Sequence, residues 1–436
     1  MLRREALREY LAGALWVLPF TAGVLALVAA LLMVTVDPPD GSLLAGLEFR
    51  GSAEDARAML LAITGTVVTV IALVLGLSVV ALQLTSTQYS PRLLRDFLRD
   101  RPNQLALSVF LATFAYCAAL LFPVGVGPEP QDYPRLAVSV ALLLLFASMG
   151  MVVYFADHLS HSLQVEAIMR RIEREALQVI RHMPTDVDLD PPSPPAWAVE
   201  IPAQHSGYVQ TTHPELLLPL AIRHGVGMAL TTGVGQHLAA GSPLALIWTP
   251  SPKDPLPDLR EVTHALAAHV GIGFERTRQQ DSAFGIRQLV DVAVKALSPA
   301  VNDPYTAVQA IHHMTVIFGE MARMPMGPRV ARDPDGPAVV VVPSRVFGQY
   351  LAKMCGLVRR YGSGEPNAMT ALLRLMDHCA RIAHTDAARL EAISEQARLV
   401  AEDGVRDTAQ PADAAQVVQE EAALQRVIAG YRAQLR

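Results

Sequence analysis

Cysteine is scarce. The chain has three in 436 residues, with Cys117 inside an apolar run and Cys355 and Cys379 far beyond it. Neither zinc-type spacing nor a disulfide framework can be built from them, so they read as small core residues. HExxH, GxSxG and a Walker-type phosphate loop are also absent, which removes the usual handles of metalloproteases, α/β-hydrolases and P-loop nucleotidases. Thirteen histidines stand singly or as the pair His312-His313, which cannot both face one metal from a helix, and no metal is expected. The net charge of −5 is mild, and nucleic acid, which calls for a basic patch away from membrane-flanking arginines, is not an expected partner.

Charge is missing altogether from four long apolar runs, residues 11–36, 58–83, 105–122 and 136–156. A hydrocarbon core of about 30 Å needs roughly 20 residues of helix, which three runs exceed and the third, bounded by Gln104 and Pro123, nearly supplies. The alternative, buried helices of a large soluble core, demands charge-free helices longer than such cores use. A 51% hydrophobic content beside 18% charged residues suits a four-span domain over 1–157 with a large solvated remainder. No Asp, Glu, Lys, Arg or His precedes Asp157 in these runs, which weakens a pump or symporter reading and leaves a passive pore open.

Arginines set the expected orientation. Arg3, Arg4 and Arg8 precede the first run, Arg92, Arg95, Arg99 and Arg101 follow the second, and Arg170, Arg171, Arg174 and Arg181 follow the fourth. The other two loops carry only Arg50, Arg57 and Arg135, so both termini are expected in the cytoplasm of a multi-pass protein. The first run is too long for a signal peptide and lacks a small-residue cleavage site before Pro38-Pro39, so it is expected to be retained.

Beyond the runs the pattern predicts a helical extension over 158–183, a Pro-rich linker over 184–196, a small β-rich unit over 197–250 and a mainly helical domain over 257–436. The expected fold is therefore membrane α-helical, four transmembrane helices followed by a cytoplasmic α+β region. In the β-rich unit, Ser206-Gly207-Tyr208 followed by Gly241-Ser242-Pro243-Leu244 is similar in order to biotinyl and lipoyl carriers. No lysine occurs between Trp197 and Trp248, which excludes a covalently carried cofactor, and none is expected. Helices are expected over 259–280, 284–297 and 304–323, and one strand over 338–342. In the final helix Val417, Leu424 and Tyr431 lie seven apart, compatible with a coiled coil or with docking on its own domain.

The second run differs from the others, which read as generic membrane helices. Gly65, Thr69, Ala72, Gly76, Val79, Gln83 and Ser86 fall on one face, nearly all small or polar, as suits tight helix packing or the lining of a pore. After it, Ser90-Pro91 predicts a new helix through Asp100 with Arg92, Arg95 and Arg99 on its basic side. That helix is either a headgroup-binding interfacial segment or an ordinary cytoplasmic elbow.

A polar cluster occupies 275–304. Arg276, Arg278 and Arg287 are candidate donors to a small anionic ligand, with Gln280, Asp281, Asp291, Asn302 and Asp303 beside them. The same residues also read as caps and ion pairs: Arg287 and Asp291 are four apart, and Asp303 before Pro304 is an N-cap signature. A hydrolase reading, with Asp281, Asp291 or Asp303 as base and His312 or His313 beyond, has no diagnostic spacing.

Three segments together carry a family likeness: Leu-Gln-Leu-Thr-Ser-Thr-Gln-Tyr-Ser-Pro-Arg-Leu-Leu-Arg-Asp-Phe-Leu-Arg-Asp over 82–100, Ser-Gly-Tyr-Val-Gln over 206–210, and Phe-Gly-Ile-Arg-Gln-Leu-Val-Asp over 284–291 with Leu-Ser-Pro-Ala-Val-Asn-Asp-Pro over 297–304. The chain resembles a bacterial family of predicted membrane proteins, domain of unknown function 2254. The resemblance covers nearly the whole chain and implies an inner-membrane protein with four spans and a cytoplasmic domain. It supplies no activity and no catalytic residues. The expected function is an oligomeric channel-like or transport-like protein in the lipid bilayer, regulated by its cytoplasmic domain. A membrane-tethered enzyme or ligand sensor and a scaffold are the alternatives.

Overall fold

A computed structural model describes residues 14–36, 45–88, 101–124, 133–162, 164–277 and 280–435. The chain divides into two compact units, residues 1–167 and 168–436.

The first unit contains helices α1 (Val17–Met33), α2 (Ala53–Gln88), α3 (Arg101–Leu120) and α4 (Arg135–Ser162). Among the described residues α2, α3 and α4 are long and apolar enough to cross a membrane, while α1 is apolar but only 17 residues long. Helix α2 starts at a capping box: the Ser52 hydroxyl accepts the Asp55 N–H at 3.1 Å, and the Asp55 carboxylate accepts the Ser52 N–H at 2.9 Å. It continues for 36 residues, about 54 Å at ~1.5 Å per residue, well past the run of 58–83 read from hydropathy.

Helix α3 is the hub, packed against α1, α2 and α4. Its buried Ala106, Phe110, Thr113, Cys117 and Leu120 recur every three or four residues, yet buried residues surround much of the helix. The third span is thus not generic. Burial in lipid gains no hydrophobic free energy between helices, so close contact and hydrogen bonds must hold them. Gly23 of α1 seats on Leu111, where an added Cβ would stand 3.3 Å from Leu111 Cγ. The buried hydroxyls of Thr113 and Ser148 join α3 to α4 at 2.9 Å, and Tyr116 donates to the Ala137 carbonyl at 3.1 Å.

The second unit begins within α5 (Val165–Arg181), whose Met169, Ile172, Ala176 and Ile180 form a buried stripe. Residues 184–196 carry one isolated bridge, Val187 to Arg329. Then follow β1 (Val199–Pro202), β2 (Gly207–Thr212), α6 (Pro214–His224), β3 (Gly227–Leu230), β4 (His237–Leu238), β5 (Pro243–Trp248), α7 (Leu259–His269) and β6 (Val270–Gly273). The remainder comprises α8 (Ser282–Ala296), α9 (Pro304–Arg323), β7 (Arg329–Arg332), β8 (Val339–Val342), α10 (Phe347–Gly362), α11 (Pro366–Ile382), α12 (Ala387–Asp407) and α13 (Pro411–Gln434).

The strands form a five-stranded sheet in the order β1-β5-β3-β8-β7 and a three-stranded sheet in the order β4-β2-β6. In the larger sheet only β3 and β8 pair in parallel. The single strand expected near 338–342 is therefore inserted beside β3, and the strands of 197–250 do not close on themselves. The helix expected over 259–280 ends at His269, because Val270-Gly271-Ile272-Gly273 pairs with β2 as β6. Helix α6, with Pro219 inside it, arises within the region read as β-rich.

One face of the larger sheet packs Met228, Ile247, Val340 and Val342 with Leu217 of α6 and Leu266 of α7. Ala229, Val339 and Val341 form a smaller cluster on the other face. Helices α8 to α13 pack on one another, and Val417, Leu424 and Ile428 bury α13 against the chain's own helices rather than leaving a free heptad seam. Helix α8 approaches α5 closely at Gly285, where an added Cβ would lie 2.6 Å from the Ala176 Cβ.

Gly285→Val should destabilise the second unit by about 1–3 kcal/mol through overpacking against Ala176. A thermal melt of the full-length protein in detergent, followed by tryptophan fluorescence, should show a lowered transition; an unchanged one would contradict the close packing.

Candidate functional site

The parallel pair β3 and β8 sends two adjacent chain segments out of the sheet in the same direction. Open sheets with parallel strands form crevices beyond such carboxyl ends. Here Thr231-Thr232-Gly233-Val234-Gly235 follows β3 and Pro343-Ser344-Arg345 follows β8, and a cavity of about 340 Å³ opens between them. The start of α8, the end of α5, Arg329 and Tyr350 complete its walls.

The loop after β3 depends on its glycines. Gly235 has φ +77° and lies so close to Asp281 that a Cβ would stand 2.4 Å from Oδ2. A Cβ on Gly233 would stand 2.4 Å from the Pro343 carbonyl oxygen. Both the left-handed backbone and the close approach exclude larger residues.

Asp281 is the buried acid of the site, with a side chain only 3% exposed. Its Oδ1 caps α8 by accepting the Ala283 N–H at 3.1 Å. Its Oδ2 accepts Arg276 Nε at 2.7 Å, with Nη2 at 2.6 Å. Burial pushes this carboxyl above its ordinary value, opposed by Arg276, the Ala283 amide and the charge of Arg345. Beside it Ser282 donates to the Tyr350 hydroxyl at 3.1 Å, and burial likewise raises the Tyr350 phenol. Gln280 Oε1 accepts the Thr212 N–H at 2.9 Å and fastens the start of α8 to β2.

The remaining charges are matched unequally. Arg329 stands 3.6 Å from Asp186 and 3.3 Å from Glu215, and Glu215 also pairs with His213 at 3.3 Å. Arg345 has its guanidinium carbon 5.8 Å from the Tyr350 ring centroid and no carboxylate within ion-pair distance among the described residues. The crowding of cations is felt by Lys353, whose pKa is lowered chiefly by Arg345, then by burial, Arg276 and Arg287. Among the described residues no group of His, Cys, Asp and Glu gathers at metal-binding distances. The chemistry available is recognition by cations and hydroxyls; the acids are engaged by arginines and a helix cap.

The residues singled out in the sequence separate into two places. Gln280 and Asp281 line the cavity and Arg276 pairs with Asp281, while Arg287 and Asp291 pair at 3.1 Å farther along α8. Asn302 and Asp303 lie beyond the other end of that 15-residue helix, about 22 Å along its axis. There Asn302 takes φ +50° in the turn, and Asp303 caps α9 through the Thr306 N–H at 3.1 Å. Arg278 lies outside the described residues. Sequence reasoning missed Gly233, Gly235, Arg345 and Tyr350. The signal for them was a valine run ending in Pro343-Ser344-Arg345, once that run is recognised as a parallel strand.

In the first unit Gly65, Thr69, Ala72, Gly76, Val79 and Gln83 all lie on the exposed side of α2. Ala56, Leu60, Ile63, Val67, Val74 and Ala81 form its buried side, opposite at ~3.6 residues per turn. A Cβ added at Gly65 or Gly76 would meet nothing within 4 Å. Among the described residues of the first unit the small face therefore does not serve packing. Ser86 belongs to the last turn of α2, and Arg92, Arg95 and Arg99 lie outside the described residues.

Three helices long and apolar enough to cross a membrane, followed along the chain by an α/β unit with a crevice at its parallel strand ends, suit a membrane protein with a second folded unit. The chain belongs to the family described as Predicted membrane protein (DUF2254), whose pattern matches residues 12–378. It is 38% identical over 423 residues to uncharacterized proteins of Mycobacterium tuberculosis and Mycobacterium bovis, covering 95% of this chain and 81% of each relative. No solved structure matches it.

Because the folded Asp281 carboxyl is raised, its protonation stabilises the native state most below the ordinary value of 3.8, and this contribution is lost as pH rises through the folded value. The melting temperature of the wild type relative to Asp281→Asn should thus fall as pH climbs from about 4 toward neutrality. A difference that stays constant or grows with pH would contradict the raised carboxyl.

Proposed function

We propose that this is a channel-like or transport-like oligomer of the bacterial inner membrane, with four spans per chain and both termini in the cytoplasm. In this reading α1 is the first span, extended by the apolar residues of 11–36, and the second unit is cytoplasmic and regulatory. The arginine distribution supports the orientation. Packing of α1 on the same hub as α2 and α4 supports counting it with them.

The observation that carries the proposal is the outward small face of α2. In a lipid-exposed helix, bulky apolar side chains suffice, and glycines lower helix propensity with no packing gained. Small residues in membranes mark close approach by another helix. Among the described residues of the first unit no such helix meets this face, so the proposed partner is a second copy, either by direct packing or around a passive path. The Thr69 hydroxyl on this face already donates to the Gly65 carbonyl at 3.1 Å. No charge stands on it, which suits passive permeation rather than ion-coupled pumping.

Cysteine substitution tests the assembly, since Cys117, Cys355 and Cys379 are all buried. Ala72→Cys and Val79→Cys should cross-link between copies in lipid nanodiscs, whereas exposed Leu77→Cys, on another side of α2, should not. Proteoliposomes should pass small solutes, with flux reduced by Gly76→Leu. A monomer in nanodiscs, or vesicles as tight as empty ones, would defeat the proposal.

A further inference from the structure

Of the two arginines that line the cavity beyond β3 and β8, Arg329 is matched by carboxylates and Arg345 is not, among the described residues. Asp281 is committed to Arg276 and to the cap of α8, and Glu215 to Arg329 and His213. Arg345 is left half-buried on the Tyr350 ring with no carboxylate at ion-pair distance among the described residues. Guanidinium groups hold carboxylate and phosphate through paired N–H donors, and they do so best where water is partly excluded. The wall beside Arg345 adds the hydroxyls of Ser344 and Tyr350 as further donors, while Val179, Met183 and Val234 supply apolar surface. A volume of about 340 Å³ lies at the small end of ligand sites, which run from roughly 300 to 1,000 Å³. Gly233 and Gly235 fold the loop after β3 tightly against Pro343 and Asp281, shaping the crevice from backbone rather than side chains.

We propose that this cavity binds a small organic anion whose oxyanion head is held by Arg345, Ser344 and Tyr350 and whose apolar body lies against Val179, Met183 and Val234. The site differs from the broader 276–303 cluster, since Asn302 and Asp303 lie at the far end of α8. It stands independently of whether α2 lines a pore. Carboxylates and phosphates share the chemistry that Arg345 recognises, so both are tested.

Isothermal titration calorimetry on the full-length protein in neutral detergent would use phenyl phosphate and benzoate as probes, with benzyl alcohol as the uncharged counterpart. At least one anion should saturate with a dissociation constant of about 1 mM or tighter, and benzyl alcohol should not bind. Arg345→Gln should weaken that binding about tenfold or more, whereas Arg381→Gln, altering an exposed pair with Asp377 on α11, should leave it unchanged. A second measurement needs no variant: phenylglyoxal labelling of Arg345 in the wild type, read by mass spectrometry, should slow when the binding probe is present. Absence of binding by both anions up to about 10 mM would overturn the proposal. So would equal affinity in Arg345→Gln, or unaltered labelling of Arg345 under a saturating probe.

Discussion

The second unit depends on the parallel pairing of β3 with β8, which joins residues 227–229 to residues 339–341 across more than a hundred positions of chain. Parallel strands cannot be joined by a tight turn, so the intervening chain must leave the sheet and return. It does so through β4, β5, α7, β6, α8, α9 and β7, and α8 and α9 of that excursion pack with the helices that follow β8. Closing so long a loop costs entropy that grows only slowly with its length. Burying the valines of β8 on both faces of the sheet contributes roughly 1.5–3 kcal/mol for each side chain and sustains the pairing. The crevice is a consequence: two chains leaving one sheet in the same direction diverge to different neighbours.

Asp281 shows how the crevice is held open. One carboxylate ties together the cap of α8, Arg276 and the glycine turn at Gly235. An ion pair of this kind gains little net free energy, because both charges surrender water, and breaking it by removing one partner leaves the other stranded. Its value is geometric. The pair fixes where α8 begins relative to the loop after β3, and Gln280 adds a hydrogen bond to β2 at the same corner. The upward shift of Asp281 records the cost of that burial, only partly offset by the arginines nearby.

Much of the membrane unit was legible because lipid imposes a length and excludes charge, and those are properties of single segments. The runs of 58–83 and 136–156 lie within long apolar helices and that of 105–122 on one that ends at Leu120, while each helix begins before its run, as at the cap formed by Ser52 and Asp55. The cap at Asp303 was legible for the same local reason, whereas that at Asp281 was not, because the helix was read from 284. What escaped was everything set by distant partners. Val270-Gly271-Ile272-Gly273 is strand because β2 lies beside it, not because of its own preference. Residues 338–342 read correctly as a strand but gave no indication of their neighbour, and the crevice follows from that neighbour. Arg345 belongs to no motif; its significance is positional, created by β8 ending beside β3. The cluster 276–303 was compact in sequence, yet a helix converts such a stretch into two sites about 22 Å apart.

Helices α2 and α3 show why composition alone cannot locate a membrane interface. Both carry small residues, and in lipid small residues signal close approach rather than hydrophobic drive. On α3 the signal is satisfied inside the chain: Thr113 meets Ser148, Leu111 receives Gly23, and Tyr116 reaches Ala137. On α2 the larger apolar residues Leu60, Ile63, Val67 and Val74 face the hub, and Gly65, Ala72 and Gly76 face away. That is the reverse of what single-chain packing favours, since close approach to α3 would be easier on the glycine side. In the oligomer we propose, that outward glycine face of α2 is the close-approach surface. Because the same face carries no Asp, Glu, Lys, Arg or His, a like helix proposed to meet it would do so through backbone proximity rather than through charge.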